Sequence, residues 1–420
     1  MKDYRNLLKN NNFVSLWSSQ MLSQMTINIM NFLLLLRLFQ ETGSTIATSL
    51  LWVAYALPAI LVGPFAAASV DMVDRKKTLM ITNLAQSLVI FVYALSHHES
   101  IFLLYGIAII YSFFNQFYVP AEQASLPSVV SKPNLPLANG VFFATQQAAI
   151  VLGFGLAGVL SRTIGFDQSL FLSSILLFGA FLAVSMLPDM KSREIVPKSF
   201  EKAFEKFFER IVEGYQFLKD HYSILAPFLL LMGLQVAIAM LVVNVPLVAT
   251  DLLGIRVDAT GLLVVVPVGL GTLVGAFVIP RLLNAGRRKK GVIEGSLAAL
   301  TAVVLMFAFV VPTISAFGLR IGVSGLLIAG AGLAFMGIMI PSQTFIQEKT
   351  PGGLRGRVFG NFWFLATIAT VFPTIFSGAI SELFGIRILL LILSAFAFVS
   401  MILFTRFGKK FLEKEQANKK

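Results

Sequence analysis

The 420-residue chain has no cysteine, only three histidines and three tryptophans, and charged side chains make up just 13% of it. The missing thiols exclude disulfides and thiolate metal sites. The histidines, His97, His98 and His221, fall in polar turns, and none stands among acids at a metal-ligand spacing. No metal centre, no cofactor and no membrane-face acid–base chemistry are therefore expected, and an enzyme is not the reading. With 57% hydrophobic residues, a soluble fold would have too little polar surface to cover itself.

What the chain does have is long apolar runs. A helix that crosses a bilayer needs roughly 20 mostly apolar residues, and twelve such stretches are separated by short polar turns. They run over 14–39, 46–70, 78–96, 101–120, 138–161, 168–188, 223–250, 259–282, 291–312, 320–345, 357–381 and 386–407. The first is too long and too rich in amides for a signal-peptide core, so it is expected to stay. With the N-terminus inside, 28 of the 33 Lys and Arg fall in inner segments, against Arg37, Arg162, Arg256, Arg320 and Arg387 outside. That bias predicts both termini in the cytoplasm. It also explains the net charge of +12 as topology and lipid attraction, with no nucleic-acid partner.

Span one is unusually polar. Gln20, Gln24, Asn28 and Asn31 step by 4, 4 and 3 and form one helical stripe. Amides in hydrocarbon need partners or water, so the stripe is either interhelical glue or the wall of a solvated cavity. Arg37 and Glu41, four apart, are placed to pair. In span four, Pro120 and Pro127 of PAEQASLP are expected to break the helix at the inner surface. In span five, Ala149, Gly153 and Ala157 recur every four residues, a spacing that lets two helices approach closely.

One stretch organises the rest. Residues 63–77, GPFAAASVDMVDRKK, pass from apolar helix into two acids and three bases with no linker, and GAFVIPRLLNAGRRKK repeats the arrangement in the second half. Gly140, Gly158, Ser161 and Gly165 match Gly360, Gly378, Ser381 and Gly385 at an offset of 220. The chain thus reads as an all-α membrane protein of twelve transmembrane helices in two six-helix pseudo-symmetric bundles, 1–188 and 223–407. Between them, 189–222 is an amphipathic linker. Its helix sets Phe200, Phe204, Phe207, Phe208, Ile211, Val212, Tyr215 and Leu218 on one face, to lie in the cytoplasmic interface. Residues 408–420 form a basic cytoplasmic tail.

These residues resemble a known family. Asp71 followed by Asp74, Arg75, Lys76 and Lys77, together with PAEQASLP and QEKTPGGLRGRVFGN at 347–361, is similar to the signature loops of the major facilitator superfamily. The likeness is to its bacterial macrolide-efflux and siderophore-exporter branch. It implies the major facilitator fold, a bacterial plasma-membrane location and a rocker-switch exporter. It also implies a cytoplasmic latch in which Asp71, Asp74, Arg75 and Lys76 close against Arg355, Gly356 and Arg357. The chain departs from the pattern at Ala67 and Met72, which replace a glycine and a base. It departs again at Tyr111, which replaces an arginine, and at Gly153–Gly158, which lacks the usual proline.

A cavity walled by amides and aromatics suits a bulky neutral or amphipathic compound, drug- or macrolide-like, with a lysolipid or siderophore as the alternative. Its expected lining is Gln24, Asn28, Asn31, Tyr111, Asn115, Gln146, Gln235, Asn244 and Trp363. A channel would need a symmetric assembly, whereas this chain supplies its own two-fold repeat and reads as a monomer. All 21 acids fall in loops or within about a turn of a span end. The sequence therefore predicts facilitated or weakly proton-coupled transport, with Glu122 and Glu348 as surface charges and the nearest coupling candidates.

Overall fold

The structure, a computed structural model, describes residues 7–70, 73–96, 100–190 and 200–417. Among these residues there is no strand. The first half runs through α1 (Asn11–Thr42), α2 (Thr45–Leu61), α3 (Gly63–Val70), α4 (Arg75–Ser96), α5 (Phe102–Val129), α6 (Leu135–Thr163) and α7 (Phe166–Ser185). After α8 (Phe200–Asp220) come α9 (Tyr222–Leu247), α10 (Val266–Asn284), α11 (Lys289–Phe309), α12 (Phe317–Lys349), α13 (Gly352–Phe384) and α14 (Ile386–Ala417). Among the described residues, eleven segments are long and apolar enough to cross a membrane, and α2 adds a shorter apolar helix of 17 residues. The protein is an all-helical, multi-pass membrane protein.

Most boundaries follow local chemistry. The Asn10 side chain accepts from the amides of Asn12 and Phe13 at 3.1 and 3.2 Å and starts α1, and Gly43 in the left-handed region ends it. The stretch expected as one span at 46–70 is divided at Val62, because Pro64 cannot donate to the preceding turn. Span four departs in the opposite sense. Pro120 and Pro127 do not break it, and α5 runs on to Val129. In a bilayer, neighbouring helices and local hydroxyl groups satisfy the carbonyls that a proline frees, so a proline there bends more readily than it terminates.

The chain divides into two compact units, one of Met1–Gly43 with Leu50–Phe208, the other of Ser44–Ser49 with Glu209–Lys420. In unit 1, α1 packs on α6 and α7, and α4 on α5 and α7. A Cβ on Gly153 of α6 would lie 2.5 Å from the Cβ of Asn28 and 3.3 Å from the amide of Ile29, so the small-residue stripe does bring two helices together. In unit 2, α10 and α12 approach more closely still. A Cβ on Gly271 would lie 1.9 Å from the carbonyl oxygen of Ala329.

The duplication is visible in the backbone. Gly165 and Gly385, 220 apart, open the last helix of each half with φ of 91° and 83°. The linker helix buries its C-terminal end. Leu218 and the unexpected Phe217 are buried with Ile224, Phe228, Val358 and Phe362, while Phe208, Val212 and Tyr215 are exposed. Asn361 donates to the carbonyl of Ile211 at 2.7 Å, and Arg357 pairs with Glu213, so this end of α8 is bonded to α13.

Candidate functional site

In unit 1, α1, α4 and α5 turn polar side chains toward one another. Ser19 and Ser23 are four apart on α1 and both buried. Asn83 of α4 donates to the Ser19 hydroxyl at 3.1 Å, and Gln86, a turn further on, donates to the Tyr111 carbonyl of α5 at 3.2 Å. Tyr118, also fully buried on α5, has its hydroxyl beside Ser19 and Ser23 and donates to Oε1 of Glu122 at 2.8 Å.

Glu122 is only 6% exposed, two turns before the end of α5. The sequence placed it at the surface because the helix was expected to stop at Pro120. Its continuation carries the carboxyl into the bundle. Two acids are buried among the described residues, and they differ in kind. Asp258 is held by both Nε and Nη2 of Arg256, at 3.2 and 2.8 Å. Glu122 has a neutral phenol as partner, and none of the ion pairs among the described residues includes it. A buried ionisable group inside a span is expensive to keep, and such groups typically mark substrate or ion paths. Tyr118 can donate to the carboxylate or accept from the carboxylic acid, so the pair can change charge without breaking an ion pair.

The expected lining residues do not share one environment. Gln24, Asn28, Asn31 and Asn115 are half-buried in unit 1, and Gln146 there is exposed. Asn28 donates to the Gln24 carbonyl at 2.7 Å and packs on Gly153, so part of this stripe is helix packing. Gln20 likewise donates to the Phe142 carbonyl at 3.0 Å. Asn115 bonds the Tyr55 hydroxyl at 3.3 Å. In unit 2, Gln235 is half-buried and Trp363 exposed. Tyr111 and Asn244 are fully buried. Asn244 donates to the Met240 carbonyl at 2.8 Å and to the Ser377 hydroxyl at 3.0 Å, a polar bond tying α9 to α13.

Of the expected latch residues, Asp74, Arg75, Lys76 and Arg357 have partners inside their own units. Asp71 lies outside the described residues, as do His97 and His98. Asp74 accepts from the Lys77 amide at 3.2 Å and caps α4. Arg75 donates to the Ala124 carbonyl at 2.8 Å, and Lys76 lies 3.9 Å from Asp189. Arg357 pairs with Glu213 as above, and Arg355 falls on the first turns of α13. Glu348 is exposed and paired with Lys289. Arg37 pairs with Glu41 and stacks over Phe166 at 5.5 Å.

Sequence reasoning passed over Tyr118, Asn83 and Gln86. The signals were present as a Tyr and a Glu four apart and two amides three apart in an otherwise apolar span.

The comparisons agree with this architecture. A crystal structure of a variant of the nucleoside transporter NupG superposes with a TM-score of 0.74 at 13% identity, covering 94% of this chain and 99% of that one. "Uncharacterized MFS-type transporter YfiS" of Bacillus subtilis is 24% identical over 401 residues, 90% of this chain and 88% of that protein. "Macrolide efflux protein A" of Streptococcus pyogenes is 22% identical over 396 residues, 89% and 90% of the two chains. The family model described as Major Facilitator Superfamily matches residues 16–374, and the chain therefore belongs to the major facilitator superfamily of transporters.

Proposed function

We propose that this protein is a secondary carrier that exports a bulky neutral or amphipathic small molecule by alternating access, and that Glu122 carries the coupling proton. The observation behind it is the buried Glu122 held by Tyr118. Facilitated or weakly coupled transport rested on all acids lying near span ends, and burial of Glu122 removes that premise. The neutral amides Gln24, Asn31 and Asn115, half-buried on α1 and α5, support a substrate recognised without a fixed charge. The efflux relatives support export, and the skew of Lys and Arg supports a plasma membrane with both termini cytoplasmic.

The test is uptake of a macrolide antibiotic and of a lipophilic cation dye into proteoliposomes, with and without an imposed pH gradient. The gradient should accelerate uptake severalfold in the parent. Glu122→Gln should abolish that acceleration while leaving gradient-free exchange of substrate. Glu348→Gln, at an exposed ion pair, should leave it intact. Acceleration that survives Glu122→Gln would overturn the assignment.

A further inference from the structure

Residues Ser44–Ser49 belong to unit 2, although the chain on either side of them belongs to unit 1. The bonds that hold them there are specific. Glu382, near the end of α13, accepts from the Ser44 hydroxyl at 2.7 Å, from the Ile46 amide at 3.2 Å and from the Thr45 hydroxyl at 3.5 Å. Thr45 also donates to the Gly378 carbonyl at 2.9 Å, and Thr48 to the Val243 carbonyl at 3.0 Å. Thr45, Thr48 and Ser49 are fully buried. The backbone comes close enough that a Cβ on Gly378 would sit 2.3 Å from the Ser49 hydroxyl and 2.6 Å from the Thr45 carbonyl oxygen.

Glu382 is therefore the cap of a helix it does not belong to. Its carboxylate sits at the exposed amides of the first turn of α2, where negative charge is favoured. This contact lies at the turn between the first two spans, opposite the basic loops. The sequence suggested a latch on the basic side made from an acid and the start of α13. Here the roles are exchanged, with the acid on α13 and the free helix end on α2.

We propose that Glu382 is the positioning residue of a latch on the face away from the basic loops, and that the carrier releases Ser44–Ser49 from Gly378 and Glu382 each time it opens on that face. This rests on the alternating-access reading above, and its test needs neither a substrate nor a pH gradient.

The chain has no cysteine, so a single Ser49→Cys provides a reporter without background. Ser49 donates only to the Thr45 carbonyl of its own helix, at 2.8 Å. Labelling by a membrane-impermeant maleimide, added on the face away from the termini, should be slow in this parent. Glu382→Ala should speed it by about two- to fivefold, the range set by losing one charge at a helix N-terminus. Glu382→Gln, which keeps an acceptor but no charge, should fall between. Gly378→Ala should speed labelling further, because it wedges the segment away without touching the carboxylate.

Melting temperatures of the two Glu382 variants separate a latch from a structural cap, whereas Gly378→Ala, whose methyl overpacks against Ser49 and Thr45, is read by labelling alone. Faster labelling with unchanged melting supports the latch. Unchanged labelling in both Glu382→Ala and Gly378→Ala overturns it, as does faster labelling that appears only alongside a lower melting temperature. Labelling is read without transport, so loss of proton coupling at Glu122 would leave this outcome interpretable, and the reverse also holds.

Discussion

Helical glycines in this chain should divide into those that cannot accept a methyl group and those that can, and the division follows from geometry alone. A Cβ on Gly271 would meet the Ala329 carbonyl oxygen at 1.9 Å. That atom is backbone, and relief requires α10 and α12 to part by about an ångström, which breaks the close packing around them. Overpacking of this kind costs about 1–3 kcal/mol. At about 2–4 °C per kcal/mol for a large domain, Gly271→Ala should lower the melting temperature by about 5 °C. Gly153→Ala meets the Asn28 Cβ at 2.5 Å and should fall by a smaller amount. Gly140 and Gly360, equivalent positions in the two halves, have nothing within 4 Å of a built Cβ. Alanine there should be neutral or should stabilise by up to ~1 kcal/mol, because it lowers the entropy lost on forming the helix. Differential scanning fluorimetry of the four variants in one detergent gives the order. Gly271→Ala melting at or above the parent, or Gly360→Ala falling as far as Gly271→Ala, would refute the reasoning.

Two further outcomes can be measured directly. A reporter fused after Lys420, or inserted between Asp189 and Lys198, should read cytoplasmic, because 28 of 33 basic residues fall in the segments assigned to the side of the termini; a periplasmic signal from either would reverse the orientation. Glu213→Ala and Arg357→Ala should each free the end of α8 and raise its cleavage by trypsin, while their double-mutant coupling stays at about 0.2–1 kcal/mol because both side chains are substantially exposed.

Hydrophobic length and charge bias were enough to place most of the helices, since crossing a bilayer leaves few alternatives. The repeat was legible because Gly165 and Gly385 must tolerate the same positive φ, which ties residue type to backbone shape. Side-chain surroundings were less legible. The helical period shows that Tyr111 and Asn244 lie on definite faces, but it does not say which neighbour covers each face. Asn244 meets Ser377, 133 residues away, and no local pattern announces that bond. Glu122 was misplaced for a different reason. A rule learned from water, that proline stops a helix, was applied to a span where a freed carbonyl finds other partners.

The two halves share a scaffold but not a chemistry. Offsets of 220 and 221, fixed by Gly165 with Gly385 and by Pro120 with Pro341, place Ser342 or Gln343 opposite Glu122 in the repeat. Either is neutral. Duplication would have supplied both halves with the same side chain, so one copy has kept or gained an ionisable group where the other holds only a hydroxyl or an amide. A structural need common to both bundles, such as a cap or a packing contact, would be met in the same way twice, as the positive-φ glycines are. A group present once, buried and bonded to a phenol, answers a need that only one half has. In a carrier built from two similar bundles, binding and releasing a proton is such a need.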